Sequence, residues 1–176
     1  MNHSDHVRLL RKGVPEPGGV WADLGSGSGA FTLALADLLG PTGQIYSVDK
    51  DRRVLQEQEQ AIQRLFPAIS VEFRAADFTR PLDLPSLDGI VMANSLHYVR
   101  DKETMLQRVR AYLKPGGRLL LVEYNVDHGN VWVPYPLSYP TWERLARQNN
   151  LSDTQLLERV PSRFLNEIYS ALSFVR

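Results

Sequence analysis

Short apolar runs alternate with longer amphipathic segments along most of the chain. Five runs have the β-branched and large apolar residues typical of strands, at residues 20–24, 44–50, 70–77, 87–94 and 118–125. Helical patterns cover residues 30–39, 51–65 and 101–113. Alternating strands and helices predict a doubly wound α/β fold around a mostly parallel sheet.

The pattern changes in the last third of the chain. A helical segment at 141–148 precedes two strand-like segments, 154–162 and 166–176, with little chain between them. Strands joined by a short connection are antiparallel. The sequence therefore predicts a single domain, residues 1–176, whose parallel sheet carries an antiparallel hairpin at one edge.

Composition narrows the function classes. The 176 residues suit one domain, and 20 basic side chains balance 20 acidic ones, which predicts neither nucleic acid nor an anionic membrane as partner. With no cysteine, thiolate metal sites and cysteine nucleophiles are excluded, and we predict no metal site. The chain shows no signal-peptide core and no apolar run that would span a bilayer, so we expect a cytoplasmic protein.

Residues 22–32, "ADLGSGSGAFT", hold three glycines at the end of the first predicted strand and the start of a helix. Glycine lets the backbone approach a ligand closely, and a helix start offers unpaired N–H groups. A tight strand-to-helix turn without any ligand is the alternative.

Carboxylates close the next two strands. Asp49 is placed to accept hydrogen bonds from both hydroxyls of a ribose, or else to assist the start of the following helix. Asp77 with Phe78 could bind an amino group beside a flat ring, or else cap a loop. The carboxyl ends of parallel strands share one edge of the sheet, so together these features predict a nucleoside site.

Two cofactor classes fit such a site. Gly25, Gly27 and Ala30 satisfy the looser dinucleotide pattern G-x-G-x-x-A. The chain has no recognisable hydride-transfer constellation such as Tyr-x-x-x-Lys, and it is short for a dehydrogenase with a substrate domain. The nicotinamide hypothesis is therefore the weaker one.

Five segments in order make the chain resemble the class I S-adenosylmethionine-dependent methyltransferases, of the small-molecule type. They are "ADLGSGSGAFT", "VDKD", "AADF", "LDGIVMANSLHYV" and "YLKPGGRLLLVEY", and they cover residues 20–124. The resemblance implies a Rossmann-like fold whose closing antiparallel strands complete a seven-stranded sheet.

The resemblance also implies roles for the residues that match the family's motifs. The glycine loop would wrap the methionine part of S-adenosylmethionine, Asp49 would bind the ribose, and Asp77 with Phe78 would bind adenine. The cofactor-binding residues implied in this way are Asp23, Gly25, Ser26, Gly27, Ser28, Gly29, Asp49, Lys50, Asp77, Phe78 and Asn94.

The acceptor side is predicted from the segments outside those motifs. His97 follows Asn94 closely and is a candidate general base, although "LHYV" could simply begin a helix. The N-terminal arm, residues 1–17, and the aromatic segment 125–142 would frame the acceptor. The second segment could instead be a rigid loop or a dimer contact. Tyr98, Tyr135 and Tyr139 are the predicted substrate residues.

The function predicted in this way is methyl transfer from S-adenosylmethionine to a small-molecule acceptor. The family's base-methylating branches carry an Asn/Asp-Pro-Pro-aromatic motif where this chain has "NSLH", which disfavours nucleic acid. Two alternatives stay open: a non-catalytic S-adenosylmethionine-binding protein, and a protein or RNA methyltransferase that needs a partner. An NAD(P)-dependent oxidoreductase is the less favoured third.

Overall fold

The computed structural model describes all residues, 1–176, and contains seven strands and five α-helices. The strands are β1 Gly19–Leu24, β2 Gly43–Asp49, β3 Ser70–Ala75, β4 Leu87–Ala93, β5 Leu113–Tyr124, β6 Leu151–Pro161 and β7 Glu167–Val175. The helices are α1 His3–Arg11, α2 Ala30–Leu39, α3 Arg52–Leu65, α4 Lys102–Tyr112 and α5 Tyr139–Gln148.

All seven strands form one sheet in the order β3-β2-β1-β4-β5-β7-β6. The first five are parallel, whereas β7 runs antiparallel to both β5 and β6. The predicted doubly wound sheet with an antiparallel edge is confirmed. Strand order reverses between β1 and β4, and in open α/β sheets a crevice forms at this point, outside the carboxyl ends of the strands.

Apolar side chains cover both faces of the sheet. One face packs α1, α2 and α3 through residues such as Leu10, Leu35 and Ile62, and the other packs α4 and α5 through Leu106 and Trp142. The N-terminal arm contains the nine-residue helix α1, which Asn2 and Asp5 cap reciprocally. The N-terminal arm thus contributes to the core as well as to the surface.

Strand β5 begins at Leu113, five residues before the predicted start. Leu113 pairs with Leu87 and Arg118 pairs with Gly89, so the turn "KPGG" is an irregularity within the ladder. The pattern places a helix end and a turn there, and only the partner strand shows that pairing has already begun. Strand β3 ends earlier than predicted, which leaves Asp77 in the loop after it.

None of the helices combines the length and the apolar composition that crossing a bilayer requires.

Candidate functional site

A cavity of about 730 Å³ lies at the carboxyl ends of β1, β2 and β4, where the strand order reverses. Its size is within the range of small-molecule pockets, about 300–1,000 Å³. The lining residues are Met1, His6, Gly25, Ser26, Gly27, Ser28, Ala30, Phe31, Asp49, Lys50, Ala76, Asp77, Phe78, Thr79, Ala93, Asn94, Ser95 and Tyr98. All but two of the predicted cofactor residues are among them, the exceptions being Asp23 and Gly29.

The glycine loop forms one wall, and its glycines meet different surroundings. Gly25, at φ +77°, lies against neighbouring side chains: an added Cβ would stand 2.7 Å from Ser95 Cβ and 2.9 Å from Phe78 Cε1. At Gly27 an added Cβ would meet nothing within 4 Å. Side chains therefore pack closely against the backbone at Gly25, whereas no atoms crowd the backbone at Gly27.

Gln58 on α3 holds this loop in place from behind the cavity. Its Nε2 donates to the Gly27 carbonyl oxygen at 2.6 Å and to Ser26 Oγ at 2.9 Å. Its Oε1 accepts a hydrogen bond from Ser47 Oγ at 2.8 Å. Gln58 is buried, and its Cγ would stand 2.4 Å from a Cβ at Gly29. Gly29 is thus a packing position behind the loop.

Replacing Gln58 with alanine is expected to lower the free energy of unfolding by about 2 kcal/mol, because the buried Ser47 and the partly buried Ser26 and Gly27 lose their hydrogen bonds. Urea unfolding measures this loss. The Gln56→Ala variant, at an exposed position on the same helix, is the control and should stay within about 0.5 kcal/mol of wild type. Equal stability of the two variants would contradict the bracing role of Gln58.

Asp49 and Asp77 present carboxylates to the cavity. Asp49 Oδ2 accepts a hydrogen bond from the Gly27 N–H at 2.8 Å, and its Oδ1 accepts one from the Asp51 N–H at 2.9 Å. Asp51 caps α3 itself, which frees Asp49 from that alternative role. Hydrogen bonds from the Thr79 hydroxyl and backbone hold the pKa of Asp77 below its usual value. Asp77 accepts both hydrogen bonds from Thr79 through its Oδ1, which leaves its Oδ2 available to a ligand.

Asp23 lies fully buried beneath the loop, outside the cavity lining. Thr32 Oγ1 donates to Asp23 Oδ2 at 2.7 Å and is 3.3 Å from Ser47 Oγ. The pKa of Asp23 is raised to about 7, mainly by burial; the charge of Asp49 adds to the rise and the hydrogen bonds from Thr32 oppose it. Asp23, Thr32 and Ser47 thus belong to one polar network under the glycine loop.

The raised pKa of Asp23 predicts a pH dependence of stability. Between pH 3.8 and about 7 the folded chain retains a proton on Asp23 that the unfolded chain releases, so stability falls as pH rises through this window. The Asp23→Asn variant lacks this titration, and its stability relative to wild type should rise by about 4 kcal/mol across the window. Urea unfolding at several pH values measures the difference, and a flat difference would contradict the assignment.

The turn after β4 forms the opposite wall. Asn94 has a left-handed backbone, φ +51°, and its buried Oδ1 has no hydrogen-bond partner. Residues Leu96–Tyr98 form a single 3₁₀ turn. Tyr98 lines the cavity and is 60% exposed, whereas His97 is buried and does not line it. Asn94 and Tyr98 therefore reach the cavity, and the candidate base lies behind them.

The structure does not bring Tyr135 and Tyr139 to the cavity. The ring of Tyr135 lies 5.7 Å from Lys102 Nζ, and Tyr139 packs edge-on against the buried Tyr169. Segment 125–142 is nevertheless tied to the β4 turn, because the Tyr135 N–H donates to the His97 carbonyl oxygen at 2.9 Å. Val133 and Leu137 in this segment are buried.

A family model described as a methyltransferase domain matches residues 15–162. This chain belongs to the methyltransferase domain family. The match includes the glycine loop, both carboxylates and the β4 turn, and it confirms the resemblance to class I S-adenosylmethionine-dependent methyltransferases found in the sequence.

Two curated relatives of the methyltransferase domain align with part of their own length. A 2-phytyl-1,4-naphthoquinone methyltransferase of Trichormus variabilis is 32% identical over 114 residues, 62% of this chain and 48% of the relative. A ubiquinone/menaquinone biosynthesis C-methyltransferase of Pseudomonas savastanoi is 34% identical over 104 residues, 58% of this chain and 41% of the relative. The chain matches less than half of either protein.

One solved structure with the same fold is a 1,6-didemethyltoxoflavin-N1-methyltransferase of Burkholderia thailandensis. It contains 1,6-didemethyltoxoflavin and S-adenosylhomocysteine, and it superposes on the methyltransferase domain with a TM-score of 0.77. The match covers 98% of this chain and 77% of that chain at 20% sequence identity. The likeness places the seven-stranded sheet among methyltransferase folds.

Proposed function

We propose that this chain binds S-adenosylmethionine and transfers its methyl group to a small-molecule acceptor. The observation that carries the proposal is the cavity at the reversal of strand order. There the open backbone of Gly27, which is hydrogen-bonded to Asp49, lines one space together with the carboxylates of Asp49 and Asp77. No signal for a hydride-transfer site accompanies them.

The lining residues fit an adenosyl sulfonium. Asp49 would accept hydrogen bonds from the ribose hydroxyls, and Asp77 Oδ2 would accept one from the adenine amino group. The stem of Lys50 and the partly buried ring of Phe78 provide apolar surface beside adenine. Asn94 lines the opposite wall, where its backbone carbonyl would accept a hydrogen bond from the amine of the methionine part. Asp23, Ser26, Ser28 and Gly29 would shape the loop.

Bound S-adenosylmethionine supplies a methyl group on a good leaving group, so the protein's contribution is mainly orientation. Aligning two reactants is worth up to about 7–11 kcal/mol of activation free energy in favourable cases. The glycine loop and the turn after β4 are suited to this task, because hydrogen bonds and packing hold both in place. Tyr98 is the predicted substrate residue that reaches the cavity.

The acceptor is proposed to be a small molecule, and quinone-type rings are the first to test. The two relatives are named for 2-phytyl-1,4-naphthoquinone and for ubiquinone/menaquinone biosynthesis. Electron-rich reduced forms of such rings are suitable nucleophiles for a sulfonium methyl group. Nucleic acid is not part of the proposal, and the cytoplasmic location stays a prediction.

Calorimetry with S-adenosylmethionine, S-adenosylhomocysteine and NADH tests the cofactor, and transfer of a labelled methyl group to a panel of reduced quinones, phenols and amines tests the reaction. We expect S-adenosylmethionine and S-adenosylhomocysteine to bind and NADH not to bind. We also expect a small molecule in the panel to become labelled. Binding without any transfer would favour a non-catalytic binder, and labelling only of a protein or RNA would favour the partner-dependent alternative. Absence of adenosyl binding would overturn the proposal.

A further inference from the structure

The turn after β4 has two halves with separate anchors. In the first half the Asn94 N–H donates to the Val122 carbonyl oxygen at 2.8 Å, and Ser95 Oγ donates to the Leu24 carbonyl oxygen at 2.7 Å. These bonds tie the half that faces the glycine loop to β5 and β1. Residues Asn94 and Ser95 are therefore held without any contribution from His97.

The second half is anchored by one buried carboxylate, Glu123 on β5. The His97 N–H donates to Glu123 Oε2 at 3.1 Å, and His97 Nδ1 lies 2.7 Å from Glu123 Oε1. The Tyr124 N–H donates to the same Oε1 at 2.9 Å. Glu123 is completely buried and His97 is 2% exposed. A carboxylate that accepts these bonds requires Nδ1 to carry the proton.

The other ring nitrogen, His97 Nε2, is buried and has no hydrogen-bond partner. The His97 ring instead supports the Tyr98 ring, with the centroids 4.3 Å apart. Tyr98 in turn lines the cavity with most of its surface exposed. The chain of contacts therefore runs from a buried carboxylate, through an oriented imidazole, to a tyrosine that faces the site.

We propose that Glu123 and His97 are a pair of positioning residues for the methyl acceptor, and that Tyr98 is the residue that contacts it. Glu123 holds the imidazole in one orientation and one tautomer, and the imidazole holds Tyr98 against the acceptor. The bond from the Tyr135 N–H to the His97 carbonyl oxygen links the same pair to segment 125–142. The inference rests on the proposed methyl transfer and goes beyond it by separating the acceptor half of the turn from the donor half.

The kinetic test uses Glu123→Gln, His97→Gln and the double variant. Each should lower kcat/KM for the acceptor at least tenfold while the Kd of S-adenosylhomocysteine changes less than twofold. The double variant should be no slower than the slower single variant, because residues that act as one unit are not additive. Parallel loss of adenosyl affinity, or additive losses in the double variant, would overturn the pairing.

Two controls separate positioning from stability. Glu16→Gln changes an exposed carboxylate before β1, and Leu121→Ala destabilises the core of the same strand as Glu123. Both should retain wild-type kcat/KM at a temperature where they are folded. If Glu123→Gln does not fold, Tyr98→Ala, at an exposed position, replaces it in the test. This variant should also lower kcat/KM for the acceptor at least tenfold while the Kd of S-adenosylhomocysteine changes less than twofold. Retained acceptor kcat/KM in Tyr98→Ala would overturn the proposal.

A second readout needs no enzymatic activity. Nitrogen-15 NMR of the histidine rings should show His97 protonated at Nδ1, and His97→Gln assigns its signals among the four histidines. Protonation at Nε2 alone would overturn the arrangement. If no methyl transfer is found but Nδ1 carries the proton, the proposed function fails while the buried pair stands.

Discussion

Replacing Asp49 with alanine is expected to weaken the binding of S-adenosylhomocysteine about a hundredfold. The side chain borders the cavity and already accepts the Gly27 N–H, so its loss removes ligand hydrogen bonds and an anchor of the loop. Hydrogen bonds to a charged group contribute about 1.5–3 kcal/mol each, and two of them to a ribose give about 3 kcal/mol. A difference of about 2.7 kcal/mol is a hundredfold change in Kd.

Asp51 provides the matched control, since it is an aspartate two residues away that does not line the cavity. Asp51→Ala removes the cap of α3 and should lower stability by about 1 kcal/mol. Its affinity for S-adenosylhomocysteine should stay close to wild type by calorimetry. Similar affinity losses in the two variants would show that Asp49 acts only through local stability.

Replacing Gly25 with alanine is expected to abolish most of the adenosyl affinity and also to destabilise the fold. A left-handed backbone costs an L-residue about 1–2 kcal/mol. The added Cβ would also meet Ser95 and Phe78 at less than 3.0 Å, so both must move, and both line the cavity. We expect a total loss of stability of about 3 kcal/mol and a Kd raised about a hundredfold.

Gly116 offers the same backbone conformation without the crowding. Its φ is +76°, beside +77° for Gly25, and an added Cβ would meet nothing within 4 Å. It lies in the turn within β5, away from the cavity lining. Gly116→Ala should therefore lower the free energy of unfolding only by the cost of the left-handed backbone, and it should leave the adenosyl Kd unchanged. Equal effects of the two substitutions would mean that contact with Ser95 and Phe78 is unimportant.

The glycine-loop side of the cavity is predictable from the sequence, because its residues occupy fixed positions at the ends of successive strands. Glycines after β1 and the carboxylate at the end of β2 lie close together because these parallel strands end at one edge of the sheet. The role of Gln58 could not be predicted in the same way. It stands in the polar run "QEQEQ", where nothing distinguishes a buried brace from solvated neighbours, and its partners belong to β2 and the glycine loop.

The side of the cavity formed by the turn after β4 is less predictable from the sequence. The sequence suggests His97 only through its nearness to Asn94 along the chain, and the structure turns its ring inward onto Glu123. Glu123 carries no signal within "LLLVEYN", because a charged residue near the end of an apolar strand commonly faces solvent. The aromatic composition of segment 125–142 suggests Tyr135 and Tyr139, but composition does not specify which face of a loop meets the cavity.

The alternation of apolar runs and amphipathic segments by itself determined the doubly wound sheet, its antiparallel edge and the edge at which the cavity lies. These properties follow from local periodicity and from chain connectivity, and both can be read from the sequence alone. Only the tertiary structure decided that Gln58 braces the loop, that Asp23 is buried beneath it and that Glu123 holds His97. Those contacts join residues on different elements, and their energies depend on burial and distance, which exist only after the elements have packed.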